Sequence, residues 1–457
     1  MSSAIVWFRQ DLRLHDNPAL ISAVKSGLPL IFLYIDDTNI ENNWQLGAAS
    51  KWWLHHSLQS LSQDLAKMGA NLILRRGDSQ KILAELISQA DAKALFYNRC
   101  YEPYAIARDT KIKKMPDIEV NSFNGSLLVE PWNLKTKQGG YFKVYTPFWK
   151  SFRHEVLIEA PLPKPKSWQN FSKKIASDNL DSWGFVPKIN WDKQFAQEWQ
   201  PGEAGAEKAL SYFLKNIGLK YNTERDFPAI QATSRLSAPL HFGEISPRQI
   251  WQAAFPQHEK FLSEVVWREF AHNLLYHFPQ LPERNFQAKF NSFPWSTSEK
   301  NLKKWQQAET GYPIVDAGMR QLWQTGIMHN RVRMIVGSFL TKDLLLHWRH
   351  GEAWFWDTLV DADLANNAFG WQWIAGSGAD AAPYFRVFNP TLQGEKFDPE
   401  GAYVKKWLPE LAKLPAKLVH NPWEANIKLN YPARMVDHGE ARTRALEAYK
   451  KIREDGH

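Results

Sequence analysis

Over the first 130 residues, short β-rich apolar runs alternate with helical patterns, and no other feature narrows the fold as far. The runs span residues 4–8, 29–35, 71–75 and 94–97, and helical periods fill 17–25, 50–68 and 78–89 between them. Alternation of this kind needs right-handed crossovers, so the expected product is an α/β domain: a doubly wound parallel sheet with helices on both faces. Such a sheet holds ligands where its strand order switches direction. Neither GxGxxG nor GxxxxGK[ST] occurs here, which argues against a nucleotide-dependent ligase or transferase built on this region.

The pattern then changes twice. Residues 131–200 carry Pro131, Pro147, Pro161, Pro163, Pro165 and Pro187 among polar residues and isolated aromatics, and read as a connector draped over the surface. From Gly205 onward helical periods dominate. Pro313 opens one helix and Gly326 closes it. A second is expected from about His329 to Trp348, with Arg349-His350-Gly351 as its basic end. Ser296-Thr297-Ser298-Glu299 reads as a capping box for the stretch before that helix. The expected organisation is an α/β domain at 1–130, a connector at 131–200 and a larger all-α domain at 201–457.

Composition excludes several classes. A chain with 44% hydrophobic and 23% charged residues is neither disordered nor membrane-spanning. Arg9, Asp11 and Arg13 stand where a signal peptide needs apolar residues, and Cys100 is the lone cysteine, so a reducing, cytoplasmic setting is expected. One cysteine permits no disulfide or cysteine metal cage, and no metal site is expected. The net charge of +8 hints at a polyanion, but it is spread over both halves, so any nucleic-acid surface must be assembled by folding. The 22 tryptophans suit packing, yet so many bulky, redox-active side chains invite a second reason.

Several short constellations bear chemistry. Gly376-Ser377-Gly378-Ala379-Asp380-Ala381 matches GxGxxA but lacks a βαβ setting, and reads as chance. Thr233, Ser234, Arg235, Leu236 and Ser237 form a hydroxyl run around one arginine, fit either to cradle a pyrophosphate or to cap a helix. Glu264 and Trp267 share a helix face, as do Asn330 and Met334. Asp361 and Asp363, two apart, are equally turn-formers or functional acids, and lead into Asn367, Trp371 and Trp373.

In this order the motifs resemble the DNA photolyase/cryptochrome family along nearly the whole chain. The resemblance begins at Val6-Trp7-Phe8-Arg9-Gln10-Asp11-Leu12-Arg13 and ends at Phe388-Asn389-Pro390-Thr391. It is strongest to bacterial enzymes that repair cyclobutane pyrimidine dimers. It implies FAD in the helical domain, held by Tyr221, Thr233, Ser234, Arg235, Leu236, Ser237, Phe261, Asn330, Arg333, Asp361 and Asp363, with Asn367 facing flavin N5. Plant cryptochromes similar to this pattern carry Asp at that place. Glu264, Trp267, Asn330, Arg331, Met334 and Trp373 match residues that contact the dimer, while Arg225 and Gln393 match further DNA contacts. Enzymes for the (6-4) lesion place histidines where this chain has Asn330 and Met334.

Glu264 and Asn330 are thus the expected catalytic contacts. Trp295, Trp348 and Trp371 match an electron-carrying tryptophan chain, with plain packing as the alternative. A second, light-harvesting chromophore is expected between the domains. Folate-binding relatives carry Asn-Glu where this chain has Tyr104-Ala105, which speaks against folate in that mode and leaves another folate mode, a deazaflavin or no antenna open. The expected partner is dimer-containing DNA, and the expected state a monomer. The rival reading is a cryptochrome-like photoreceptor without repair, though no low-complexity tail follows the helical region before His457.

Overall fold

The computed structural model describes residues 2–40, 44–189, 191–381 and 385–454. Its first part holds five parallel strands, β1 (Ser3–Phe8), β2 (Leu30–Asp37), β3 (Leu72–Gly77), β4 (Ala92–Asn98) and β5 (Glu119–Phe123), in the order β3-β2-β1-β4-β5. Helices α1 (Pro18–Lys25), α2 (Ala48–Ala66), α3 (Ser79–Ala90) and α4 (Pro103–Ile112) make the crossovers. The sheet is doubly wound, as the alternation requires. Side chains of one strand point to opposite faces in turn. Val6 and Phe8 accordingly join one apolar layer, with Phe32 and Trp53, and Ile5 and Trp7 the other, with Leu33 and Leu83.

Two elements of this part escape the apolar pattern. Strand β5 is an edge strand of sequence EVNSF, only partly buried, and helix α4 is short and half polar. The strand order reverses between β1 and β4, and the turns leaving those strands carry Arg9 and Cys100.

The second part is helical. Helix Pro313–Thr325 starts at its proline and stops at Gly326, whose φ of 69° is the left-handed cap glycine favours. The helix expected from His329 to Trp348 is interrupted. Helix Asn330–Ser338 passes into a π-turn at Phe339–Asp343, Leu345 takes a φ of 52°, and a separate helix begins at Trp348. Arg349 and His350 therefore sit in a first turn, not a last one. Ser298 is likewise the N-cap of the helix that follows it, Glu299–Gln306, accepting from the Asn301 N–H.

Residues 131–200 join the two parts and contribute to both cores. Phe148 and Phe152, on helix Tyr145–Glu155, are buried in the helical core, whereas Trp183, Phe195 and Trp199 are buried against the sheet. Carboxylates lock the halves together. Glu203 accepts from the Leu14 and His15 N–H groups, Glu269 from those of Leu128 and Val129, and Asp16 from Arg248. No helix among the described residues is long and apolar enough to cross a membrane.

Candidate active site

Three helices of the second part converge on one cavity of about 330 Å³. Helix Glu259–His277 supplies Glu264 and Trp267, helix Asn330–Ser338 supplies Asn330, Arg333 and Met334, and helix Leu364–Ala375 supplies Asn367, Trp371 and Trp373. Spacings of three and four residues put Glu264 with Trp267, Asn330 with Arg333 and Met334, and Asn367 with Trp371 on one face of their helices, whereas Trp373, two residues past Trp371, reaches the cavity from the flank. Asp361 and Asp363 also line the cavity.

The aspartates are held differently. Arg333 Nη2 donates to both oxygens of Asp361, at 3.0 and 2.9 Å. Asp363 caps the helix after it, its Oδ1 accepting from the Asn366 N–H at 2.8 Å. Its Oδ2 faces His241 Nδ1 at 3.4 Å and His272 Nε2 at 3.5 Å. Burial alone pushes the Asp363 carboxyl up, but the two histidines outweigh it and hold it well below the usual range. Burial likewise pulls His272 down, and Asp363 reverses this, so its net shift is upward. The ring's other nitrogen points at the Arg268 carbonyl, 2.9 Å away. Both ring nitrogens of His272 thus face oxygen acceptors, an arrangement that favours the charged form of the ring. Histidine spacing carried no signal for this pair.

Asn367 is oriented by chemistry. Its Nδ2 donates to the Glu352 carbonyl at 3.0 Å, and a carbonyl only accepts, so Oδ1 is the atom left for a ligand. Glu264 ion-pairs through Oε1 with Arg225 and, at 2.8 Å, with Lys260. Trp371, Phe355 and Ile374 add apolar wall. An oxygen acceptor, a fixed Arg–Asp pair and a fixed carboxylate around apolar surface suit the polar edge and flat body of a flavin.

Other expected site residues lie outside this cavity. Tyr221 packs edge to face on Phe261 and on Phe213, and Phe261 lies tilted on Phe213. Thr233, Ser234 and Arg235 line a different cleft, where the Arg235 guanidinium pairs with Glu198 at 2.8 Å and lies 4.3 Å over the Trp199 ring. Leu236 precedes the short helix Ser237–His241, which has no side-chain cap, so the capping alternative for this run is not what is seen. Arg331 pairs with Asp226 at 2.9 Å, and Gln393 sits half-buried on helix Pro390–Phe397.

The three tryptophans are linked through two other residues, Gly351 and His347. Trp371, 3% exposed, packs on Gly351, three residues past the fully buried Trp348 on the same helix. The His347 ring lies 5.4 Å from that of Trp348 and 5.0 Å from that of the half-buried Trp295. Burial, with His350 and Arg349, lowers His347 to about 4 and keeps it neutral near pH 7.

Two cavities open beside the sheet. One, at the switch point, is lined by Arg9, Tyr34, Cys100 and Arg108 together with His241. The other, between the two parts, is lined by Thr38, Tyr104, Lys111, Pro282 and Leu364.

Comparison with known proteins decides the family. Residues 4–166 match the family described as DNA photolyase, and residues 261–451 match the FAD binding domain of DNA photolyase. The chain belongs to the DNA photolyase/cryptochrome family. It is 49% identical to the deoxyribodipyrimidine photo-lyase of Agrobacterium fabrum, over 98% of both chains. It is also 37% identical to cryptochrome-1 of Arabidopsis thaliana, over 98% of this chain and 70% of that one. Among solved structures, a bacterial class III photolyase from Agrobacterium tumefaciens superposes with a TM-score of 0.96 at 48% identity, covering 99% and 98% of the two chains. An archaeal photolyase from Sulfolobus tokodaii, described with two FAD molecules and a novel light-harvesting cofactor, gives 0.86 at 30% identity, covering 98% and 100%. This photolyase-family chain is therefore a flavoprotein with an FAD-binding helical domain, and an enzyme of the photo-lyase type.

Proposed function

We propose that the enzyme repairs cyclobutane pyrimidine dimers in DNA under blue light, taking the dimer flipped out of the duplex into the cavity of Glu264, Trp267, Asn330, Met334 and Trp373. FAD, when bound reduced, supplies the electron that opens the cyclobutane ring and receives it back. The observation that carries the reading is that these five side chains, two indoles, an amide, a thioether and a carboxylate, line one cavity together. Asn330 and Met334 offer no acid, which suits a ring opening that needs an electron but no proton donor.

The chain's own residues have distinct tasks. Glu264 accepts from a pyrimidine N–H, most effectively once water is excluded. Trp267 and Trp373 stack against the extruded bases; a dimer stacks and pairs poorly, so its extrusion costs less than that of normal bases. Asn367 presents Oδ1 and no acidic proton toward the flavin, which favours repair over the plant photoreceptor pattern. Thr233, Ser234, Arg235, Leu236 and Ser237, with Tyr221 and Phe261, are assigned to the rest of the cofactor. Trp371, Trp348 and Trp295 carry electrons between cavity and surface, and the neutral His347 between the last two puts no charge in their way. Arg225, Arg331 and Gln393 meet the DNA backbone. A second chromophore belongs in one of the two cavities beside the sheet. The same reading has the enzyme acting as a cytoplasmic monomer.

The test is direct. Purified protein with reduced FAD is mixed with an oligonucleotide holding one thymine dimer and illuminated at blue wavelengths. Loss of dimers in light and not in darkness is expected. Dimers surviving prolonged illumination with the flavin fully reduced would overturn the reading.

A further inference from the structure

Tyr145 belongs to the segment that links the two halves, yet its ring stacks on that of Trp267 with centroids 3.6 Å apart and planes 9° from parallel. Aromatic pairs left to themselves prefer offset or edge-on contacts with centroids about 4.5–7 Å apart. A full-face contact therefore reflects what holds the rings. The Tyr145 hydroxyl donates to the Ser263 carbonyl at 2.5 Å, one turn before Trp267, and Phe270 closes the edge at 5.9 Å and 71°.

The backbone of the same segment reaches the opposite wall. The Asp380 N–H donates to the Lys143 carbonyl at 3.1 Å, and the Tyr145 N–H is near enough to the Asp380 carboxyl to oppose the rise in its pKa that burial causes. The Asp380 carbonyl in turn accepts from the Trp373 indole N–H at 3.1 Å. Asp380 has a φ of 54°, a conformation Asp tolerates better than most residues. It comes from the run Gly376–Ala381 that has no dinucleotide role. Residues 143–145 thus touch both indole walls, one by ring contact and one through Asp380.

We propose that Tyr145 is a positioning residue: with Asp380 it braces the Trp267 and Trp373 plates at the separation that a flipped-out pyrimidine pair requires. The proposal rests on the repair reading above. Tyr145 covers one face of the Trp267 indole, the Phe369 ring lies tilted against it at 5.8 Å and 31°, and Trp267 still lines the cavity. Without it the indole regains rotamer freedom and the slot loses its shape, while the phosphate contacts stay as they are.

The test uses FAD-loaded protein. Tyr145→Leu should weaken binding of dimer-containing DNA about tenfold, the scale of one lost base stack. Its affinity for undamaged DNA, its flavin content and its repair rate at saturating DNA should be unchanged. Tyr145→Phe keeps the stack and should restore most of the loss. Asp380→Gly keeps the backbone conformation, removes the carboxylate and should weaken dimer binding several-fold, which serves if the leucine variant does not fold. Near-UV circular dichroism should lose a Trp267 signal in Tyr145→Leu, with no further change in a Trp267→Phe background. Unchanged dimer affinity in both Tyr145→Leu and Asp380→Gly, or equal loss on undamaged DNA, would overturn the brace. A wild-type protein without preference for dimers would instead defeat the repair reading, and the circular dichroism series alone would then decide the brace.

Discussion

The Trp371 indole lies so close over Gly351 that a β-carbon on that glycine would stand 2.1 Å from ring atom Cη2. Gly351 is in a helix interior, where alanine is ordinarily about 1 kcal/mol better than glycine. Here the sign should reverse. Gly351→Ala must push the indole aside, and overpacking of this kind costs about 1–3 kcal/mol. The expected result is a lower Tm together with slower light-driven reduction of oxidised FAD, because the displaced ring no longer sits beside the Trp348 helix. Trp371→Phe should slow that reduction more strongly at little cost in Tm. A stabilised Gly351→Ala with normal photoreduction would show that Trp371 is not seated there.

Asn367 offers a second test. Because its Nδ2 donates to the Glu352 carbonyl, Asn367→Asp would bring two acceptors together unless the new carboxyl keeps its proton. Its folded pKa should therefore stand above its unfolded value. A carboxyl shifted in that direction contributes stability at low pH that is lost as pH rises through the folded pKa. The variant should come nearest to the parent below about pH 4, where the unfolded chain also keeps the proton, and melt earlier at neutral pH and above, by roughly the 1–3 kcal/mol of an unsatisfied buried polar group. Equal melting of the two proteins across that range would contradict the orientation assigned to Asn367.

These two sites also show what the sequence could and could not disclose. Strands β1 to β4 were legible because unbroken apolar runs have few other ways to fold beside helices. Strand β5 was not, since Glu119, Asn121 and Ser122 lie on an edge that needs little burial. The helix and its cap at Pro313 and Gly326 were legible because each residue's backbone restriction is local. The break after Ser338 was hidden: Leu345 adopts a left-handed conformation that glycine or asparagine would have announced. At the cavity, residues sharing a helix face were found and residues meeting across the fold were not. Tyr145 reaches Trp267 from a distant connector, and His241 and His272 reach Asp363 from two other helices. Sequence spacing encodes neither meeting. The Thr233 to Ser237 run was visible as chemistry, but which cleft it faces depends on Glu198 and Trp199.

Arg225 and Arg331 should separate in their effects although both are assigned to DNA phosphates. Arg331 pairs with Asp226, outside the cavity. Arg331→Ala should therefore weaken damaged and undamaged DNA alike and reduce the salt slope of binding by about 1. Arg225 also pairs with Glu264 and lies 5.1 Å over the Tyr221 ring. Its removal should add a loss of dimer preference, because Glu264 keeps only Lys260. Salt titrations with both DNA types would show this split; identical behaviour of the two variants would remove it.

Glu269 makes the joint between the halves sensitive to pH. Its carboxylate accepts from the Leu128 and Val129 N–H groups, yet burial, only partly offset by Arg268 and His272, pushes its pKa up to about 7. The folded state therefore holds this proton between the ordinary carboxyl range and about pH 7, whereas the unfolded chain has released it. Stability from this group is full below the unfolded pKa and falls as pH rises through about 7. The fall amounts to roughly 3–4 kcal/mol, a tenfold change in proton affinity being worth about 1.4 kcal/mol. Glu269→Gln cannot titrate. It should be less stable at every pH, because its amide N–H groups face the Arg268 guanidinium, but its stability should vary less between pH 5 and 8 than that of the parent. Denaturant melts at matched ionic strength measure the difference in slope. Parallel curves would mean that Glu269 is ionised in the folded protein throughout this range and that its backbone contacts outweigh its burial.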